Sequence, residues 1–131
     1  YAVLNRLQLD ALLGEPAEAR LDLIDQAKAA AAERFAQRLD PWDALARGDG
    51  EVTRWLFGTG AAPAGSLERL VAAYDDVVGK VLVTGRVLDS VLQQHRLMAA
   101  FLRVRSRSGD KSRARLLERL AQQLSNVASR G

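Results

Sequence analysis

The chain has 131 residues, of which 48 % are apolar and 5 % aromatic, with no cysteine and a net charge of +3. This length and apolar content suit one folded domain and exclude a wholly disordered chain. The absence of cysteine excludes disulfides, thiolate catalysis and cysteine-based zinc sites. No apolar run is long enough for a membrane-spanning helix. Because the chain begins with Tyr1, without the layout of a secretory signal, we expect it to be processed, trimmed or part of a longer protein.

The first forty residues predict two amphipathic helices. Residues 2–13 carry apolar side chains at helical intervals, and Gly14 is expected to end that helix. Pro16 then predicts the start of a second helix, because proline fits a first turn in which its missing N–H costs nothing. Ile24 and Ala31 fall on the apolar face of this second helix.

Short helices are predicted next. Asp40 and Pro41 are typical of a helix start, and we expect that helix to reach about Ala46. The run Gly48-Asp49-Gly50 is expected to break it, with another short helix over residues 51–57.

Residues 58–65 contain three glycines and one proline and predict a loop. This loop is a candidate domain boundary. The segments before and after it are each small for a separate core, so we expect a single helical domain over residues 1–131.

The longest predicted element runs over about 67–107. Its apolar seam, a line of mostly apolar positions spaced alternately by four and three, comprises positions 67, 71, 74, 78, 81, 85, 88, 92, 95, 99 and 102. A straight helix over 67–105 would be roughly 58 Å long, whereas a compact domain of this size is roughly 36 Å across. We therefore expect a kink at Gly79 or Gly85, or a helix that projects to meet another chain. The run between those glycines also resembles a short strand, but the unbroken seam favours helix.

A polar break over Ser106–Asp110 and a last helix with Leu117, Leu120 and Leu124 on one side complete the pattern. The predicted fold class is therefore all-α, a helical bundle of about four main helices plus short connecting helices.

Charge is divided unevenly along the chain. The basic C-terminal segment, residues 96–131, holds nine of the nineteen Lys and Arg residues and only two carboxylates, a net charge of +7. Six of these cations form a basic cluster: Arg103, Arg105, Arg107, Lys111, Arg113 and Arg115. Arginine forks bind phosphate, and the interleaved serines add neutral contacts, so we predict that this cluster binds a nucleic-acid backbone. The competing interpretation is an exposed face balanced by acidic groups of the fold or of another chain. A membrane surface is disfavoured because the cluster lacks bulky aromatic side chains.

Aromatic residues concentrate in one stretch, which offers a second candidate surface. Trp42, Trp55 and Phe57, with Arg54, are residue types favoured as anchors in protein interfaces. We predict that they bind a protein partner or a second copy, although plugging the end of a bundle explains them as well.

No residue pattern supports catalysis or a cofactor. His95 is the only histidine, it falls on the apolar seam, and no carboxylate lies at a spacing that would orient it as a base. We expect a buried histidine, no metal, no cofactor and no enzymatic activity.

The sequence therefore predicts a cytoplasmic, non-catalytic helical subunit that contacts RNA or DNA through its basic end within a larger assembly. An adaptor or scaffold without nucleic acid is the alternative, and an enzyme with a composite site is a third and weaker one.

Overall fold

The computed structural model describes residues 2–38, 40–75, 78 and 85–130, and over these residues the protein is all-α, as predicted. Its six helices are α1 (Ala2–Leu12), α2 (Glu18–Arg38), α3 (Pro41–Leu56), α4 (Ser66–Asp75), α5 (Gly85–Arg105) and α6 (Asp110–Arg130). The chain divides into two compact units, Tyr1–Gly58 and Thr59–Gly131, separated within the predicted loop. The single domain expected from the sequence stays a prediction.

The first unit packs α1, α2 and α3 against one another. Its core contains Leu4, Leu7, Ile24, Ala31 and Ala46, all of which are buried. The apolar positions predicted for the first two helices therefore form this core.

α3 is one continuous helix through Gly48-Asp49-Gly50, so the predicted break there is wrong. All three residues are buried. A Cβ at position 50 would lie 2.5 Å from both Cγ and Cδ of Lys28, so the missing side chain makes room for the aliphatic part of that lysine. Packing between α2 and α3 therefore outweighs the low helix propensity of glycine. The predicted start of α3 is confirmed, because the Asp40 carboxylate accepts a hydrogen bond from the backbone N–H of Trp42 at 2.8 Å.

In the second unit, α6 packs against both α5 and α4. Leu88, Leu92, Ala99 and Leu102 of α5 are buried, and the predicted face of α6 supplies Leu117, Leu120 and Leu124. Where it is described, the apolar seam thus lies mainly in the core of this unit.

The long element predicted for 67–107 contains two helices, α4 and α5. Gly85, one of the two candidate kinks, begins α5 with a φ of 52°, a value outside the helical region. The question of helix or strand for residues 79–84 lies outside the described residues.

Candidate nucleic-acid interface

α5 and α6 form a hairpin, and the basic cluster lies around its turn. The turn begins at Ser106, whose φ of 54° is in the left-handed region. The Ser106 hydroxyl donates to the carbonyl of Arg103, which satisfies one of the carbonyls left open at the end of α5. The polar break predicted for this segment is confirmed, although Asp110 is already the first residue of α6.

Arg105 forms its hydrogen bonds within the hairpin. Its guanidinium donates to both carboxylate oxygens of Asp110, which is buried, and the backbone N–H of Arg107 donates to the same carboxylate at 2.8 Å. The hydrogen bonds from Arg105 are the main reason why the pKa of Asp110 lies below its ordinary value. Arg105 therefore joins the end of α5 to the start of α6.

Arg113 is also used within the fold. It is 4 % exposed, and its Nε donates to the carbonyl of Gly60 at 2.8 Å. Burial lowers the pKa of its guanidinium. Together with the hydrogen bond from Ala62 N–H to the Ser112 hydroxyl, Arg113 holds the loop before α4 over the start of α6.

Arg103 pairs with Glu118 across the exposed surface of the hairpin. The hydrogen bond that the Arg103 guanidinium donates to Glu118 raises the pKa of Arg103. The two carboxylates of the basic C-terminal segment, Asp110 and Glu118, are thus both paired with arginines of the same segment.

The exposed cations that remain include three at i, i+4 and i+8 on α6. Lys111, Arg115 and Arg119 are exposed, and we call them the cationic row. Over the described part of the chain, no carboxylate forms an ion pair with any of the three. Arg107 is exposed at the turn, near the start of α6.

A cleft of about 380 Å³ opens beside the cationic row. Arg115 and Arg119 line one wall, together with Ser112. Pro63 and Glu68, from the loop before α4 and its first turn, belong to the other wall. Arg113 binds that loop through its hydrogen bond to Gly60, so this buried arginine helps to position one side of the cleft.

Charge is segregated between the units. The first unit has seven Lys and Arg and ten Asp and Glu residues, a net charge of −3, whereas the second has twelve and six, a net charge of +6. Within the first unit, carboxylates pair with that unit's own cations, as Glu51 does with Lys28 and Asp25 with Arg54.

Trp42, Arg54, Trp55 and Phe57 were predicted to form a second candidate surface. Because α3 is one continuous helix, Trp42 lies far from the other three. Trp42 and Trp55 are half-buried and lie thirteen residues apart on this helix, about 20 Å along its axis. Phe57 packs against the core of the first unit, and Arg54 pairs with Asp25 at 2.6 Å. The four residues predicted to bind a partner therefore do not form one patch.

His95 is buried, as expected, and its Nε2 lies 3.1 Å from the hydroxyl oxygen of Tyr74. The two rings meet edge to face, with centroids 5.7 Å apart. Burial, with a smaller contribution from Arg96, lowers the pKa of His95 from 6.5 to about 4. His95 is thus a neutral core residue at neutral pH. In the described ranges, no group of three or more His, Asp or Glu residues is placed to hold a metal ion.

Arg119 was not predicted to belong to the basic cluster. Its spacing of four from Arg115, and of eight from Lys111, is the signal that would have included it. The burial of Arg113 had no such signal, because it depends on a loop more than fifty positions away along the chain.

Comparison with protein-family models, curated proteins and solved structures gave no match to this chain. None of the helices in the described ranges has the length and apolar content of a membrane span.

Proposed function

We propose that the protein is a non-catalytic helical subunit that contacts the backbone of a nucleic acid through the cationic row, within a larger assembly. The exposed cations of this row, without a carboxylate partner among the described residues, are the observation that carries the proposal. Like charges at i and i+4 destabilise an isolated helix, so the fold gains nothing from placing Lys111, Arg115 and Arg119 together. A polyanion bound along α6 would attract all three cations and offset their mutual repulsion.

The dimensions of the row fit such a ligand. Lys111 and Arg119 are separated by about 12 Å along the helix axis, and each strand of a duplex presents a phosphate about every 3.4 Å of its axis. The row therefore reaches several phosphates of one strand. Arg107 and Ser112 extend the same surface toward the turn and the cleft. Phosphate contacts carry no base information, so binding with little sequence preference is expected.

Not all residues of the predicted basic cluster are assigned to phosphate contact. Arg105 and Arg113 position the hairpin and its neighbouring loop, and Arg103 is partly neutralised by Glu118. Lys111 and Arg115, with Arg119, are the residues that we assign to phosphate contact.

The test is fluorescence anisotropy of labelled RNA and DNA oligonucleotides, titrated with the protein at low and near-physiological salt. The variant Lys111→Gln/Arg115→Gln/Arg119→Gln removes the row. The slope of log affinity against log salt is negative, and for a single strand the loss of the row should reduce its magnitude by about 2, because about 0.7 counterions are released per phosphate contact.

The matched control is Arg6→Gln/Arg38→Gln/Arg86→Gln, which removes the same net charge from three dispersed exposed positions. We expect this control to retain most of the affinity and of the salt slope. Equal losses in the two variants would contradict a defined interface and indicate attraction by net charge alone. Absence of binding to either polymer would remove the proposal and favour the adaptor function.

The adaptor function remains the alternative because large apolar side chains are exposed on α5, among them Leu97 and Val104. The absence of enzymatic activity and the cytoplasmic location both stay predictions.

A further inference from the structure

One face of α5 carries large apolar side chains into solvent. Leu97 is 65 % exposed, Phe101 38 % and Val104 87 %. Their spacing of four and then three places them in a single line along the helix, which we call the apolar stripe. The opposite face of the same helix, with Ala99 and Leu102, is buried in the second unit. Packing of the unit's own core therefore does not account for the stripe.

The stripe is bordered by cations. At about 100° per residue, Arg96 and Arg103 lie about a quarter to a third of a turn to one side of Leu97, beyond Ala100, and Arg107 follows the C-terminal end of the stripe. Glu118 pairs with Arg103 and Asp110 with Arg105, so among the described residues the nearby positive charge that no carboxylate holds is that of Arg96 and Arg107. The surface is thus apolar along its middle and carries positive charge at its edge.

We propose that the apolar stripe binds an amphipathic helix of a partner protein, with aliphatic side chains along one face and Glu or Asp at the edges of that face. Anchors at i, i+4 and i+7 are the pattern by which helices dock on one another. Ala100 is exposed beside Leu97 and Phe101, and its small side chain permits close approach of a second helix. This contact is distinct from the cationic row, which lies on α6.

Two other occupants fit the surface less well. A second copy would bring the same stripe against itself, and the Arg96 side chains of the two copies would meet as like charges. A nucleic acid would find one stacking surface, Phe101, but bases do not stack on Leu97 or Val104. Charge complementarity and the aliphatic character of the stripe therefore select an acidic helix.

The probe is a designed, fluorescein-labelled helical peptide with leucine at every third or fourth position and glutamate at both edges of the leucine face. A matched peptide carries lysine in place of each glutamate. Anisotropy titrations are made with the full chain at near-physiological salt. We expect the glutamate peptide to bind at least about tenfold more tightly than the lysine peptide, since like charges across an interface suppress association.

Variants of the chain locate the contact. Leu97→Gln/Val104→Gln is expected to weaken binding of the glutamate peptide at least about tenfold, as loss of central apolar anchors does. Leu9→Gln/Leu13→Gln, which changes an exposed leucine of α1 and the exposed leucine that follows this helix, serves as the matched control and should bind normally. Arg96→Glu should weaken binding of the glutamate peptide and strengthen that of the lysine peptide, a reversal that a misfolded protein does not give.

Several outcomes would overturn the proposal. Equal affinity for the two peptides, no binding of the glutamate peptide, or undiminished binding to Leu97→Gln/Val104→Gln would each do so. Self-association of the chain that this variant abolishes would assign the stripe to a second copy. Binding to phosphatidylcholine–phosphatidylglycerol vesicles that it abolishes would assign the stripe to a membrane surface. Oligonucleotide binding that persists in the variant separates this contact from the one proposed for α6.

Discussion

Arg105 donates to both oxygens of the Asp110 carboxylate, from Nε to Oδ2 at 2.9 Å and from Nη2 to Oδ1 at 2.8 Å. This bidentate pair closes the turn between α5 and α6, and the acid also lies at the N-terminus of α6, where the helix dipole favours negative charge. The Asp110 side chain is 3 % exposed and that of Arg105 is 19 % exposed. The pair is therefore a largely buried structural element, in a segment for which we predicted either a nucleic-acid surface or an exposed face balanced by acidic groups.

Asp110→Asn should lower the free energy of unfolding by about 2 kcal/mol, because it leaves the Arg105 charge without its partner. Urea unfolding followed by circular dichroism at neutral pH measures this loss. The pKa of Asp110 is lowered on folding, so its stabilising contribution is present above the ordinary value of 3.8 and is lost as pH falls through the folded pKa. The difference between wild type and Asp110→Asn should accordingly shrink in acid.

Glu118→Gln is the matched control for that change. It also removes a carboxylate from an arginine in the same hairpin, but the Arg103–Glu118 pair is exposed to solvent and screened. A loss of stability as large as that of Asp110→Asn would contradict the distinction between the two pairs.

Gly109→Ala should destabilise the second unit strongly, by about 3 kcal/mol. Its φ of 83° disfavours any L side chain, and a Cβ there would lie 2.0 Å from the carbonyl carbon of Gly60. Gly65→Ala isolates the cost of the positive φ, because Gly65 has a φ of 79° but no atom within 4 Å of its Cβ position. Thermal unfolding of the two variants should show a loss of about 1 kcal/mol for Gly65→Ala, and equal losses would contradict the close approach at Gly109.

A double-mutant cycle tests the packing of Lys28 against Gly50. In the wild-type background Gly50→Ala should destabilise the protein, because the new Cβ displaces the lysine side chain and its ion pair with Glu51. In a Lys28→Ala background the same change should stabilise it by up to about 1 kcal/mol, the gain in helix propensity. The free energies of unfolding of the four proteins decide the matter, and a change of the same sign in both backgrounds would show that Lys28 does not occupy this space.

The helices were predictable where periodicity alone decides them. The faces of α1, α2 and α6 follow from apolar spacing, and the start of α3 follows from its Asp40 cap. The continuity of α3 was not predictable, because it depends on Lys28 of another helix filling the space beside Gly50. Tertiary packing here outweighs the low helix propensity of the glycines.

The candidate site was predictable as a region but not residue by residue. The excess of positive charge in residues 96–131 is a property of composition and needs no structure. The division between Lys111 and Arg115, which are exposed, and Arg105 and Arg113, which are held by Asp110 and by Gly60, depends on which partners the fold brings near. Only the spacing of four along α6 carried part of that information in advance.

The stability of the second unit should depend on pH through His95. Its pKa is about 4 in the folded protein and 6.5 ordinarily, so between these values the unfolded chain binds more protons than the folded one. Stability should therefore rise with pH across this interval, by up to about 3 kcal/mol at about 1.4 kcal/mol per unit of pH. His95→Leu removes the titrating group and preserves an apolar core. Free energies of unfolding at pH 4.5 and pH 7 should differ less in this variant than in the wild type.

Tyr74→Phe, which keeps the imidazole buried but removes its hydroxyl partner, should retain the pH dependence of stability, since burial is the main cause of the pKa shift of His95. An unchanged pH dependence in His95→Leu would assign the effect to other groups.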